Sequence, residues 1–379
     1  MIAHPVALLA FMFGLIAFTR WLEGRLALVK RTSSAVVCTL LGIALSNLGV
    51  IPHASPIYEG VNVYAIPYAI VLVILASDLR DLRVAGGAMV ACFTLATVGS
   101  FVGGVASGLL FAGWVGPETW KLTGQFAGAF VGGGMNFVAV GRGLQTDPQV
   151  FAAASVANNL STVPWMLAQV AIYRWLSPYF RLLPSADQSE AEVRHGEAMR
   201  ERWAHADMSI TDLSVLAALP LFAVWASERL SPLLPGFPQV LWLTTLALAM
   251  AQVPFVKRFN GTAVLSYFAL HLFFIAIGTS AVLSAVLSSG LALFAFMIAI
   301  IAIHAVITYG LAGVLRLPLE TVTIASQAAV GGPGSALALA MSMKWPTLVT
   351  PGIIVGIFGY AIGNYVGFAC SYLTRAWLS

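Results

Sequence analysis

Charge is what this sequence has least of. Asp, Glu, Lys and Arg make up 9% of its 379 residues, against about a quarter in a typical soluble domain. Asp and Glu are missing from the middle of the apolar runs, which argues against a carboxylate-based proton antiporter. Cysteine is scarce as well. Cys38, Cys92 and Cys370 lie far apart in apolar segments with no metal-ligand spacing, and they read as small buried hydrophobes. There is no HExxH, no GxSxG with a plausible His partner and no intramembrane Asp pair, so the chain is not expected to be an enzyme. The formal net charge of +4 carries no nucleic-acid signal, because the basic residues cluster at the ends of apolar runs.

Apolar residues fill the space that charge leaves. They make up 59% of the chain, and the mean hydropathy is +0.90. Several runs reach the roughly 20 residues that cross a ~30 Å hydrocarbon layer. The expected fold class is an all-α polytopic membrane protein. Spans are predicted near 4–22, 35–51, 60–78, 85–110, 149–175, 210–228, 237–256, 262–285, 290–315 and 350–375. The first lacks a basic n-region and a cleavage site, and reads as a retained span. One long hydrophilic stretch, Pro184 to Ser209, divides the chain into an N-terminal repeat (1–176), a polar linker (177–208) and a C-terminal repeat (209–379).

Two segments, 118–145 and 319–345, are moderately apolar but broken by glycine. "FVGGGMNFVAVGRGL" from Phe130 lines up with "AVGGPGSALALAMSM" from Ala329, which places Asn136 and Ser335 199 positions apart. A Pro-initiated span follows each, from Pro148 and Pro351. Loop charges set the orientation, since Arg and Lys in short loops favour the cytoplasm. With both broken segments dipping in and returning, and the N-terminus outside, Lys30, Arg31, Arg80, Arg83, Arg174, Lys257, Arg258 and Arg316 all fall inside. If both segments crossed fully, the second half would break the rule. Each repeat then has five transmembrane helices plus one re-entrant Gly-rich hairpin, and the repeats are inverted. Arg375, left outside, is the cost of this reading.

Inverted repeats with interrupted helices are the recurrent build of secondary transporters. Gly132, Gly133, Gly134, Gly331, Gly332 and Gly334 are candidate substrate-binding positions, where freed N–H groups favour an anion. Asn136, Ser335, Asn158, Asn159 and Asn364 complete that set. Candidate sodium ligands are Asn136, Ser335, Ser326, Asn159, Ser161 and Asn364, because neutral oxygens suit a hard cation. Gln125 and Gln327 stand just before the two tips. Arg142 and Lys344 follow them, either attracting an anion or anchoring the interface. His271 and His304 stand near mid-span, each either a proton site or a satisfied interhelical partner. Asp78 and Asp81 are expected to pair with Arg80 and Arg83. Gly99/Gly103 and Gly104/Gly108 have the spacing of close helix packing.

"GGPGSA" (Gly331 to Ala336) resembles the GGxG signature at the hairpin tips of the citrate/2-hydroxycarboxylate symporters and the glutamate–sodium symporters. "GGGMNFVAV", "GGPGSALALA" and "LVTPGIIVGIFGYAIGNYVG" (Leu348 to Gly367) together resemble domain-of-unknown-function family 819, uncharacterised bacterial and plant membrane proteins, over most of the chain. The first tip reads GGGMN rather than GGxG, a departure that bears on its substrate-side chemistry. What the resemblance implies is a sodium-coupled elevator symporter, homodimeric, in the cell inner membrane. Its partners would be the lipid bilayer and a small anionic or zwitterionic organic solute, with Na⁺ as coupling ion. A proton-coupled carrier using His271 or His304 is the alternative; a channel and an intramembrane enzyme are the rivals from other classes. The orientation has a direct check: a cysteine introduced in the Pro184–Ser209 linker is expected to react with an impermeant reagent from the cytoplasmic side only, and labelling from the opposite side would overturn it.

Overall fold

The computed structural model describes residues 2, 4–26, 34–183, 207–234, 237–279 and 283–378. Helices occupy all ten places where spans are predicted: α1 (Pro5–Arg25), α2 (Ser34–Asn47), α3 (Pro56–Leu75, with a π-helical turn at Val61–Ala65), α4 (Gly87–Val115), then, after α5 (Thr119–Gly132) and α6 (Gly134–Gly143), α7 (Pro148–Leu176). The second half continues with α8 (Ile210–Leu230), α9 (Gln239–Ala251), α10 (Thr262–Thr279), α11 (Leu283–Val314), α12 (Leu319–Ser342) and α13 (Val349–Leu378). Seven of these are long and apolar enough to cross a membrane. α2 and α9 are shorter, and α7 is diluted by Ser155, Asn158, Asn159, Ser161 and Gln169. No strand occurs among the described residues. Residues 184–206 of the linker lie outside them.

Local sequence explains the boundaries. Pro5, Pro56 and Pro148 open their helices where a missing N–H costs nothing. Asp147 caps α7 by accepting from Gln149 N at 2.9 Å and Val150 N at 3.2 Å. Ser209 and Asp212 form a reciprocal capping box at α8. The stretch Ile66–Leu75 is buried on nearly every face, as an all-round apolar helix must be.

The helices pack in two groups. α2, α3, α8, α9 and α10 contact one another, with α1 along their edge; α4 to α7 and α11 to α13 form the other group. Small residues join the second group. A methyl on Gly99 would lie 2.9 Å from the carbonyl of His304, and one on Gly103 2.7 Å from that of Ile300, both in α11. Gly104 and Gly108, on the opposite face of α4, meet α5 and α13. The paired spacing thus packs two faces at once. All three cysteines are buried and free.

The two broken segments are hairpins. At the base of the first, Glu118 accepts from Asp147 N at 3.0 Å, and Lys121 Nζ donates to the Gln145 carbonyl at 3.0 Å. The chain therefore leaves beside the point where it entered. In α12, Ser335 Oγ lies 3.4 Å from the Gln327 carbonyl. A straight helix would hold residues eight apart about 12 Å from each other. Its base is tied by Tyr173, which donates to Glu320 at 3.0 Å and stacks its edge on Trp345 at 4.8 Å.

α13 is the shared support. Its 30 residues measure about 45 Å. The second hairpin leads directly into its N-terminal end through Pro346–Leu348, while Arg375 near its C-terminal end sits 4.8 Å over the ring of Trp120 at the base of the first. The hairpins thus enter from opposite ends. Gly352 and Gly356 abut the second hairpin, at Ile324 and Pro333, whereas Gly359, Gly363 and Gly367 abut the first, at Val131, Gly128 and Gly124. Loops grouped on one side by charge are also bonded together. Asp78 pairs with Lys257, Leu79 N with Gln252, and Leu183 N with Glu320; at the other end Ile2 N reaches the Val50 carbonyl. Asp78 therefore finds its cation on a different loop, not in the neighbouring arginines, because tertiary folding brings Lys257 closer. Gly359→Ala, which drives a methyl into the carbonyl of Val131, is expected to lower stability by about 1–3 kcal/mol. Gly14→Ala, with open space around it, should leave the melting temperature in detergent unchanged or slightly raised.

Candidate functional site: the paired hairpin tips

Each hairpin turns on one glycine. Gly133 has φ 80° and ψ −174°, and Gly332 φ 75° and ψ −178°. This region is open essentially to glycine alone. The two positions are 199 apart, the same offset that relates Asn136 to Ser335. The tips meet, since Gly332 Cα is 4.0 Å from where a Cβ of Gly133 would stand. Tyr360 of α13 borders both, with its ring 3.6 Å from the first such position and its hydroxyl 3.4 Å from the second.

Polar groups gather around this point. Asn136 donates to the Tyr360 carbonyl at 3.0 Å and to Asn364 Oδ1 at 2.9 Å; Asn364 in turn donates to Thr244 Oγ1 at 2.8 Å. Asn136 Oδ1 is buried with no partner among the described residues. Asn158 and Asn159 of α7 come 3.8 Å from the Cβ position of Gly134, at the N-terminus of α6. Ser335 donates to the Gly332 carbonyl at 3.0 Å. Gln327 is fully buried, and both polar atoms of its amide lack a partner among the described residues.

A hydrogen-bond chain runs beneath the tips. Ser100 donates to the carbonyl of Phe130 at 2.6 Å. That carbonyl belongs to a residue whose ψ of 18° departs from the helix just ahead of Gly133. Ser100 has only one proton, so the 2.9 Å contact to His304 Nδ1 makes that nitrogen the donor. His304 Nε2 lies 2.8 Å from Ser326 Oγ, a contact in which either atom can be the donor. The network runs from the Phe130 carbonyl through Ser100 and His304 to Ser326. It ties the first arm of one hairpin to the first arm of the other. His271 is placed elsewhere, bonded to the Tyr267 carbonyl at 2.6 Å and to Ser34 Oγ at 2.8 Å in the other helix group.

Several sequence-derived candidates are relocated by this geometry. Gly334 lies in the helical arm beyond the break, with nothing within 4 Å of its Cβ position. The backbone leaves the helix at Gly332 instead, because the Pro333 that follows already has the φ a helix start needs. The Ser326 hydroxyl faces His304 rather than the tip, and Ser161 donates to the Asn158 carbonyl of its own helix at 2.6 Å. Asn364 has both ends of its amide engaged. Arg142 stands near the far end of α6, about 13 Å along the helix from Gly133. It lines a cleft with Glu228 and Gln239 and reaches the Val63 carbonyl at 3.4 Å. Gln125 donates to Thr146 at 2.5 Å near the hairpin base, and Lys344 falls beyond the C-terminal end of α12 with φ 60°. Tyr360, Ser100 and Thr244 escaped the sequence reading. For Tyr360 a signal existed, since it stands one turn before Asn364 within "GYAIGN".

Spans, paired breaks and meeting tips define a polytopic helical membrane protein. Within that class, residues 10–376 match the family described as "Protein of unknown function (DUF819)", and the chain belongs to it. The chain is also 29% identical over 363 residues, 91% of each chain, to the uncharacterized membrane protein YjcL of Bacillus subtilis strain 168.

The breaks separate two glycines that look alike in sequence. Gly332→Ala is expected to cost about 1–3 kcal/mol through its positive φ. Gly334→Ala, helical and unobstructed, should be neutral or gain up to about 1 kcal/mol. Thermal melts of the two purified variants read the contrast directly.

Proposed function

We propose that this protein is a cation-coupled secondary carrier that moves a small anionic or zwitterionic organic solute with Na⁺. The observation that carries the reading is the pair of hairpins with matching breaks at Gly133 and Gly332, entering from opposite ends of α13 and touching at their tips. Non-helical backbone at membrane depth is tolerated only where protein or a water-filled site surrounds it. The freed N–H groups at the start of α6 favour a carboxylate. The neutral oxygens of Asn136, Ser335 and the Asn158–Asn159 pair favour a hard cation over a transition metal.

The element order supports a duplicated, inverted build. Each half runs through three helices, a long helix, a hairpin and a final long helix, and the long helices α4 and α11 end at Val115 and Val314, again 199 apart. The division into two helix groups supports an elevator movement, with the hairpin group as the mobile body and α1–α3 and α8–α10 as the scaffold. In this reading the carrier is a homodimer of the inner membrane, joined through its scaffold. Proton coupling is the second reading, favoured by the His304 chain that joins both hairpins.

Uptake into proteoliposomes tests the proposal. Screening small labelled carboxylates and amino acids under an inward Na⁺ gradient should reveal saturable accumulation that K⁺ does not support. Gly332→Val should abolish it in a folded protein, and Ser335→Ala should weaken apparent affinity by about tenfold, the ~1.4 kcal/mol scale of one hydrogen bond. Uptake driven equally by either salt and by a pH step would hand the coupling to His304. Full activity in Gly332→Val would sink the carrier mechanism.

A further inference from the structure

Away from the tips, one cleft gathers opposite charges without pairing them. Arg142 of α6, Glu228 of α8 and Gln239 of α9 line it together. One wall belongs to the hairpin group and the other to the scaffold. Arg142 makes a single hydrogen bond among the described residues, to the Val63 carbonyl at 3.4 Å. A guanidinium carries five N–H donors, so most of its capacity is unused. Glu228 has no hydrogen bond or ion pair among the described residues. Gln239 gives its amide nitrogen to Ser227 at 3.2 Å, which leaves its amide oxygen free to accept.

The scaffold wall is irregular at this point. α3 passes through its π-helical turn at Val61–Ala65, a distortion found frequently at functional sites. Pro67, four residues after Val63, has no N–H to offer the Val63 carbonyl. That carbonyl lacks its ordinary helical partner, and Arg142 bonds to it across the cleft. The rest of the lining is apolar, with Pro67 and Ile70 of α3 and Leu243 of α9 among it. An apolar lining with a few convergent polar groups is the usual make-up of a small-molecule site.

The lining carries one positive and one negative side chain. A simple carboxylate would satisfy Arg142 and be repelled by Glu228, and a simple amine would meet the reverse. Only a ligand with both charges answers both. We propose that this cleft binds a zwitterionic amino acid with an apolar side chain. Its carboxylate would lie on Arg142, its ammonium on Glu228 and the Gln239 amide oxygen, and its side chain against Pro67, Ile70 and Leu243. This deepens the carrier reading and rests on it, narrowing the solute to a zwitterion. Arg142 stands about 13 Å along α6 from Gly133, so the cleft is a site separate from the tips. In the orientation that the loop charges favour, α8 rises from the cytoplasmic linker and its C-terminal end, with Glu228, faces outward. The cleft is then the first stop for an incoming solute. Movement of the hairpin group against the scaffold would draw Arg142 away from Glu228 and release the ligand toward the tips.

The test uses the purified full-length protein. Melting temperature is followed against L-valine and L-leucine, with isovalerate and isobutylamine as comparators of single charge, since a ligand that binds only the folded state raises stability. The wild type should show a saturable increment with the amino acids and none with either comparator. Arg142→Gln and Glu228→Gln should each move its midpoint to about tenfold higher amino acid, because each removes one charge-assisted contact. Arg142→Lys keeps the charge but loses the planar fork, and its midpoint should fall between those of the wild type and Arg142→Gln. Arg229→Gln, next to Glu228 but outside the lining, should leave the midpoint unchanged, and melts without ligand check that every variant is folded. No increment in the wild type, an equal increment with isovalerate, or a midpoint unmoved in both Gln variants overturns the site. Amino-acid binding weakened in both variants but no sodium-driven uptake of any solute would uphold the site and overturn the carrier reading. Sodium-driven uptake with unmoved midpoints would do the reverse.

Discussion

Everything in this molecule follows from a solvent that cannot hydrogen-bond. Inside an apolar layer each unpaired peptide group costs several kcal/mol, so a chain that stops being helical must find partners within the protein. It stops twice, at Gly133 and Gly332. The consequences radiate from there. Ser100, itself bonded to His304, reaches the carbonyl of Phe130, Asn136 bridges to α13, and Ser335 folds back on its own hairpin. These are answers to one question, which is where the backbone groups released at each break are to go.

The answers are chemically neutral. Asn, Gln, Ser, Thr and Tyr line the tips, while the charged residues sit toward the helix ends and loops, as in the Asp78–Lys257 pair. A centre of this kind has no fixed charge to lose when it is desolvated. The two tips are not equivalent, however. Gly134 faces Asn158 and Asn159, whereas its counterpart in the second hairpin, Pro333, packs against Gly356 of α13.

Sequence carried the architecture further than the chemistry. The helices at the ten expected places were legible because long apolar runs and their capping residues are local signals, written in consecutive positions. The hairpins were legible because glycine and proline in an apolar run contradict a helix. The identity of the turning residue was not, since Gly332 and Gly334 differ only in the φ that the fold imposes. Partnerships were harder still. Ser326 and His304 stand 22 positions apart, and Ser100 and His304 stand 204 apart. No periodicity links them, and only the packing of α4 and α12 against α11 brings them together. Asp78 was misassigned for the same reason: its neighbours in sequence were visible and Lys257, 179 residues away, was not.

The glycine face of α13 has an entropic side. Where helices meet through bare backbone there are no rotamers to freeze on docking and none to release on separation. A joint of interlocked leucines has many nearly equivalent packings; a joint of peptide planes has very few. Its fit is held in covalent geometry, which makes it sharply defined and unable to yield. Substitutions along this helix are therefore sorted by direction: positions facing lipid can vary in size, while Gly352, Gly356, Gly359, Gly363 and Gly367 leave no room for even a single added carbon.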